Sequence, residues 1–450
     1  MKHEPLDDPA ASDREDVLRA HDRRRVMQAR GAPGPWRPLR LAWLLVGPGI
    51  LVMLGENDAP SMLSYAATGA DFGVGFFLPF VLVTFALAFL VQEMTVRLGA
   101  VSHRGHAQLI FERFGGFWGW LAMGDLIVGN FLTLATEFIG VRAGLSFFGV
   151  SPMPGVAAGL GVVTAALLSR RYWTWERLTL AFALLNLVFV PAALLAHPDP
   201  RGIAHALATW SPLPDGLSRS TLTLLLADVG ATVTPWMLFF QQSATVDKGL
   251  TARDIPHARI DTALGALLAA VGAMAAIVAT APLFHHLSAA QFQGAAFAQA
   301  LVPALGWTGA ALFALGILEA GLVASITIST SSAYALAEVV RRRGSLNAGV
   351  RQAPLFRAVL VAGAFLAAAL VLIPGAPLES IVLVINVLAV LTMPPALVFL
   401  YLLVNDREIM GRHVNGALQN VLVGAVVAAL VAAGLLYGLT TVLPEGGSLP

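Results

Sequence analysis

The sequence contains no cysteine, and only 12% of its residues are charged. The first absence excludes disulfide bonds, thiolate metal ligands and thiol catalysis. The second excludes an ordinary soluble domain, in which about a quarter of the residues carry charge. Also missing are an HExxH pair, a GxSxG elbow and a glycine-rich phosphate loop, so the motifs indicate no enzyme, and no nucleic-acid partner or cofactor is expected. Residues 1–40 lack the apolar core and small-residue cleavage site of a signal peptide. Despite the run Asp22-Arg23-Arg24-Arg25 they read as a disordered cytosolic tail.

What the chain has instead is apolar length. Hydrophobic residues make up 57% of it, and the mean hydropathy is +0.74. A helix needs about 20 largely apolar residues to cross the hydrocarbon core of a bilayer. The apolar runs between charged loops give eleven spans: 41–69, 74–98, 117–147, 153–169, 177–196, 220–246, 260–284, 303–338, 355–373, 378–403 and 416–440. The fold class is therefore all-α and polytopic. With a cytosolic N-terminus, 25 of the 28 basic residues fall in the tail and inner loops, and only Arg142, Arg201 and Arg219 fall outside. This distribution follows the positive-inside rule and places the C-terminus outside the cell membrane.

Two spans are interrupted by polar residues and a proline. Span one carries Gly55-Glu56-Asn57-Asp58-Ala59-Pro60-Ser61, and span six carries Gly230-Ala231-Thr232-Val233-Thr234-Pro235-Trp236, followed by Gln241-Gln242. Proline removes a backbone donor and clashes one turn back, so neither stretch stays continuous. Spans one and six correspond if spans 1–5 and 6–10 are inverted repeats. Paired breaks of this kind point to a binding site at the membrane midplane. The expected organisation is a tail (1–40), a first repeat (41–196), an extracytoplasmic loop (197–217), a second repeat (218–403), and an eleventh helix with an external tail (404–450). Asp58 either caps the second half-helix or ligates a cation, and the two roles are compatible. An acid at mid-helix costs roughly 2.5–3.5 kcal/mol on insertion scales, which singles out Glu56 and Asp58.

Gly47-Pro48-Gly49-Ile50-Leu51-Val52 through Asp58 and Gly230-Ala231-Thr232-Val233-Thr234-Pro235 resemble the natural-resistance-associated macrophage protein (Nramp) metal transporters. So do Gln92-Glu93, Glu137-Phe138-Ile139-Gly140 and Asn405-Asp406-Arg407-Glu408-Ile409-Met410-Gly411. The resemblance implies a LeuT-like 5+5 inverted repeat that moves divalent metal into the cytosol by alternating access. It also implies metal ligands at Asp58, Ser61, Thr234 and Asn386, with Glu56, Asn57, Ala231, Trp236 and Gln241 lining the site.

The chain departs from the family pattern at several of these positions. The family's Asp-Pro-Gly-Asn becomes Asp58-Ala59-Pro60-Ser61, and its Met-Pro-His becomes Thr234-Pro235-Trp236. A family aspartate three residues before Glu137 becomes Leu134. Loss of the sulfur ligand leaves hard oxygen donors, which suit Mg²⁺ and Mn²⁺. The pattern looks like the Nramp-related magnesium transporters, and loss of the histidine and aspartate implies weak or absent proton coupling. Glu137 and Asp228 are expected as proton or vestibule acids. Glu93 is expected to pair with Arg97, and Asp125 and Glu319 to hydrogen-bond between helices. The hydroxyls of span eight, Ser325 to Ser332, suit either a sodium site or close helix packing, and packing is favoured. The partners expected are a divalent ion and the lipid bilayer, with the chain a monomer in the inner (plasma) membrane. A proton-coupled transition-metal carrier and a LeuT-fold carrier of an organic solute are the alternatives. Acids at the first break disfavour an anionic solute.

Overall fold

The computed structural model describes residues 28, 44, 46–169, 171–213, 219–283, 297–342, 344–374 and 378–442. Apart from residues 28 and 44, the expected tail and the start of span one lie outside them, as do the external tail beyond 442 and the side chain of Asn386. The first half of the chain forms α1 (Pro48–Glu56), α2 (Ala59–Phe72), α3 (Phe77–Ser102), α4 (His106–Phe114), α5 (Gly116–Phe147), α6 (Pro152–Leu167), α7 (Tyr172–Ala183), α8 (Phe189–Leu195) and α9 (Pro200–Thr209). The second half forms α10 (Arg219–Gly230), α11 (Pro235–Lys248), α12 (Ile255–Thr280), α13 (Phe297–Ala300), α14 (Val302–Val339), α15 (Pro354–Val371), α16 (Leu378–Asn405), α17 (Arg407–Met410) and α18 (Ala417–Val442). No strand occurs among the described residues. Eight helical stretches there are long and apolar enough to cross a membrane, and Pro152–Leu167 and Ala417–Ala432 are shorter apolar helices.

Both interruptions read from the sequence are present. Asn57 and Asp58 lie outside helix, between α1 and α2. Residues 231–234 separate α10 from α11. In each case the proline opens the second half-helix, Pro60 in the first turn of α2 and Pro235 at the start of α11. A proline there lacks a donor that would have been unpaired anyway. The same residue that ends one helix thus starts the next.

Two features depart from a simple loop-and-span reading. The segment after α8 is not all irregular: α9 starts at Pro200, with Asp199 capping the amides of Arg201 and Gly202 at 3.0 and 2.9 Å. α14 has 38 residues, which at about 1.5 Å each exceeds any bilayer core. Its helix is broken at Gly306, where φ is +66°, a backbone region that glycine enters without strain.

Small residues let the helices approach closely. A Cβ on Gly321 of α14 would lie 2.6 Å from the Glu137 carbonyl of α5, and one on Gly265 of α12 would lie 2.8 Å from the Gly49 carbonyl of α1. In a membrane such backbone approach substitutes packing contacts for the missing hydrophobic drive.

One end of the bundle is tied by charge. Arg97 Nε lies 3.2 Å from Glu93 Oε1, as the four-residue spacing implies, and Arg259 reaches the same carboxylate at 2.7 Å. Arg113 bridges to Asp406 and Glu408 at 2.7 and 2.8 Å. Lys248 at the foot of α11 bonds both oxygens of Glu176, at 2.8 and 2.9 Å, and the carbonyl of Val46 at 2.9 Å.

Candidate functional site

The break in the first repeat is set by backbone accounting. The first four N–H groups of a helix need partners from outside the helix. In α2 they are met by two acids and a proline. Asp58 Oδ1 accepts Ser61 N–H at 2.9 Å, Glu137 Oε2 accepts Ala59 N–H at 3.0 Å, and Pro60 has no N–H. Asp58 is therefore the N-cap of α2, as one of its two expected roles required. Glu137, read as a proton or vestibule acid, is a second capping group reaching across from α5. Two carboxylates at one helix N-terminus also complement the positive end of its dipole.

The preceding α1 ends in carbonyl groups that a straight helix would have bonded onward. Asn57, between the halves, donates from its amide to Asn186 Oδ1 at 2.9 Å and to the carbonyl of Ala269 at 2.8 Å. Its own Oδ1 has no partner.

The second break meets the first. Thr234 donates to Glu56 Oε2 at 2.7 Å, while Glu56 Oε1 stays unpaired. The hydroxyl expected as a metal ligand is thus engaged as a donor to an acid, and its oxygen retains lone pairs to offer. The carbonyl of Ala231 accepts the hydroxyl of Tyr65 at 3.0 Å. Trp236 is buried, and its ring lies against Gly55 at the end of α1, where an added Cβ would meet it at 3.3 Å. Its carbonyl accepts Ser331 Oγ at 3.0 Å. Gln241 donates to Thr262 at 3.0 Å and leaves Oε1 without a partner.

Oxygen atoms that are buried and unpaired gather at this point. Besides those of Glu56 and Asn57, they include Ser61 Oγ and Glu137 Oε1, and the indole nitrogen of Trp236 beside them is unpaired too. Buried polar atoms are rarely left without partners, and here four of the five are oxygens, two of them from carboxylates. Among the described residues no group of three His, Asp or Glu side chains could hold a metal ion. A cation here would rely on one or two carboxylates, hydroxyl, amide and backbone oxygens, and water.

Asp228 is fully buried and accepts Thr68 Oγ1 at 3.0 Å, with Oδ1 unpaired, so it does not face open solvent. Leu134, where the family pattern has an acid, packs toward Gly363 of α15. Asp125 and Asn130 line a narrow pocket of about 20 Å³ that also reaches Thr234, Trp236 and Thr392. Asn186, Thr262 and Asp261 were not singled out from the sequence. The signal available was their polarity inside otherwise apolar spans. Asp261 accepts the N–H groups of Gly47 and Gly49 at 3.0 and 2.7 Å and so caps α1.

Comparison with known proteins places this architecture. The family model described as natural resistance-associated macrophage protein-like matches residues 49–440. A divalent metal cation transporter MntH of Deinococcus radiodurans is 26% identical over 435 residues, covering 94% of this chain and 95% of its own. One from Aeromonas hydrophila is 28% identical over 410 residues, covering 88% and 95%. The crystal structure of the Eremococcus coleocola manganese transporter superposes with a TM-score of 0.74 at 20% identity, covering 92% and 91%. A Na⁺-coupled sialic acid symporter shares the fold more distantly, with a TM-score of 0.56 at 12% identity, covering 96% and 98%. The chain belongs to the Nramp family, membrane transporters that carry divalent metal ions as substrate, and it is a multi-pass membrane transporter rather than an enzyme.

Proposed function

We propose that the protein carries Mn²⁺ and Mg²⁺ into the cytosol by alternating access, with little or no proton coupling. The observation that carries this reading is the set of unpaired buried oxygens at the first helix break, beside the Asp58 carboxylate and next to Thr234 of the second break. Asp58, Ser61 and Thr234 form the core of the ion site, with Asn386 of α16 as a fourth ligand. Mg²⁺ gives up water reluctantly and is usually held by one or two carboxylates with several waters retained. Mn²⁺ accepts the same donors, and related transporters carry manganese by name.

Where the family pattern has a methionine, this chain has Thr234, so the sulfur ligand that favours softer ions is absent from that position. Leu134 and Trp236 replace the acid and the imidazole that the family links to proton movement, and neither side chain titrates. The protein would act as a monomer in the inner (plasma) membrane, with its N-terminus inside and its C-terminus outside.

Uptake into proteoliposomes tests the reading. Mn²⁺ and Mg²⁺ should enter faster than Fe²⁺ or Cd²⁺, without acidifying the lumen. A Cd²⁺ flux far above both, or acidification that tracks Mn²⁺ entry, would overturn it.

A further inference from the structure

The three side chains at the core of the ion site are enclosed: Asp58 and Ser61 are 1% exposed and Thr234 is 5% exposed. On the side where α2 and α10 lead away from the breaks, hydrogen bonds between them make the enclosure. One turn beyond Ser61 on α2, Tyr65 donates its hydroxyl hydrogen to the Ala231 carbonyl at 3.0 Å, and its oxygen lies 3.2 Å from Thr232 Oγ1. Thr232 also contacts Thr84 Oγ1 of α3 at 3.1 Å. Further along α2, Thr68 donates to Asp228 Oδ2 of α10 at 3.0 Å. All of these side chains are buried.

Asp228 is the costly member of this set. Its Oδ1 has no partner, and among the described residues no Lys or Arg pairs with it. A carboxylate buried within a span without a counter-charge is expensive to keep, and the closed arrangement makes no use of the free oxygen. Parting α2 from α10 would break the Tyr65 and Thr68 bonds together and free both oxygens of Asp228, which lies on α10 just before the second break. We propose that Asp228 is an entry residue masked by the Tyr65 and Thr68 contacts, and that its carboxylate receives the incoming hydrated divalent cation when α2 and α10 separate, before the ion passes to Asp58. A small dication sheds water reluctantly, so this first contact runs through the ion's water shell and needs charge more than a full set of ligands. The identity of the ion rests on the proposed metal reading of the breaks, whereas closure by Tyr65 does not.

Entry and binding separate in the kinetics of the full-length protein. Asp228→Asn keeps an acceptor for Thr68 and loses the charge. In proteoliposomes its KM for Mn²⁺ should rise by about tenfold, the low end of what a focusing charge supplies. The saturating rate should stay near wild type, and Mn²⁺ titrated into the purified variant should still bind. Asp228→Glu should restore the low KM, and the gap between wild type and Asp228→Asn should shrink at high salt, where the charge is screened. A wild-type KM in Asp228→Asn, or a gap that salt leaves unchanged, would overturn the proposal. If Asp228→Asn does not fold, Asp228→Ser takes its place with the same expectation. Because the chain has no cysteine, a single Ser61→Cys thiol reports on closure. It should react faster with a charged reagent added outside in the Tyr65→Phe background, and equal rates would count against the masking. Wild-type protein that binds no Mn²⁺ would sink the metal reading instead, and the thiol rates would still decide the closure.

Discussion

Thr234 donates its hydroxyl hydrogen to Glu56 Oε2 at 2.7 Å, across 178 positions of sequence, and so joins the two interrupted helices to each other. Glu56 closes α1, and Thr234 immediately precedes α11. The bond is buried, and the other Glu56 oxygen has no partner. Thr234→Val should therefore leave the whole carboxylate unsatisfied and cost about 1–3 kcal/mol. Thr234→Ser should keep the bond and stay close to wild type. Thermal unfolding in detergent distinguishes them, and equal stability of the Val and Ser variants would count against the link.

Glu137 separates a capping role from a titrating one. A glutamine oxygen can still accept the Ala59 N–H that the carboxylate now accepts at 3.0 Å, whereas leucine cannot. Loss of a cap costs about 1 kcal/mol, with a range of about 0.5–2. Glu137→Gln should retain stability and metal uptake, and Glu137→Leu should lose both in part. Transport abolished equally by Gln and Leu would show that the proton-accepting acid itself is needed.

The start of α1 is held by Asp261 on its amides and by Lys248, which bonds Glu176 and the Val46 carbonyl. Removing one partner of a buried ion pair leaves an uncompensated charge, at a cost of roughly 3–5 kcal/mol. Lys248→Met should therefore loosen this end of the helix. Because the chain has no cysteine, a single Val46→Cys label reports on it cleanly. The thiol should react faster with a charged reagent in the Lys248→Met background, and an unchanged rate would show that the pair does not hold α1.

Outside the spans, burial in α4 lowers the His106 imidazole from its ordinary 6.5 to about 4, with Gln242 Oε1 bonded to Nδ1 at 3.0 Å opposing the shift. Between those values the unfolded chain binds the proton and the folded chain does not, so stability falls as pH drops below about 6.5. From pH 6.5 to 5 this group should remove about 2 kcal/mol. His106→Gln should flatten that part of the melting-temperature profile. A variant with the same acid sensitivity as wild type would contradict the assignment.

The breaks were legible because proline and charge inside an apolar run leave few alternatives, and Pro60 and Pro235 each open a half-helix. The Glu93–Arg97 pair followed from spacing alone. What the sequence hid were partners remote in the chain. Nothing local says that Glu137 reaches the amide of Ala59, that Thr234 spends its hydroxyl hydrogen on Glu56, or that Asp228 is buried against Thr68. The helix α9 was also missed, since a polar, proline-containing stretch reads as loop until Asp199 is seen capping it.

Isothermal titration of Mn²⁺ and Mg²⁺ into the purified protein and into Asp58→Ala tests the ion site most directly. Wild type should bind both ions. Asp58→Ala should bind neither measurably, since it loses the charged ligand, and it should also lose part of the α2 cap. Asp58→Asn, which can still accept the Ser61 N–H, should fold normally and bind metal far more weakly. Metal binding by Asp58→Asn at wild-type affinity would remove the carboxylate from the site and contradict the account.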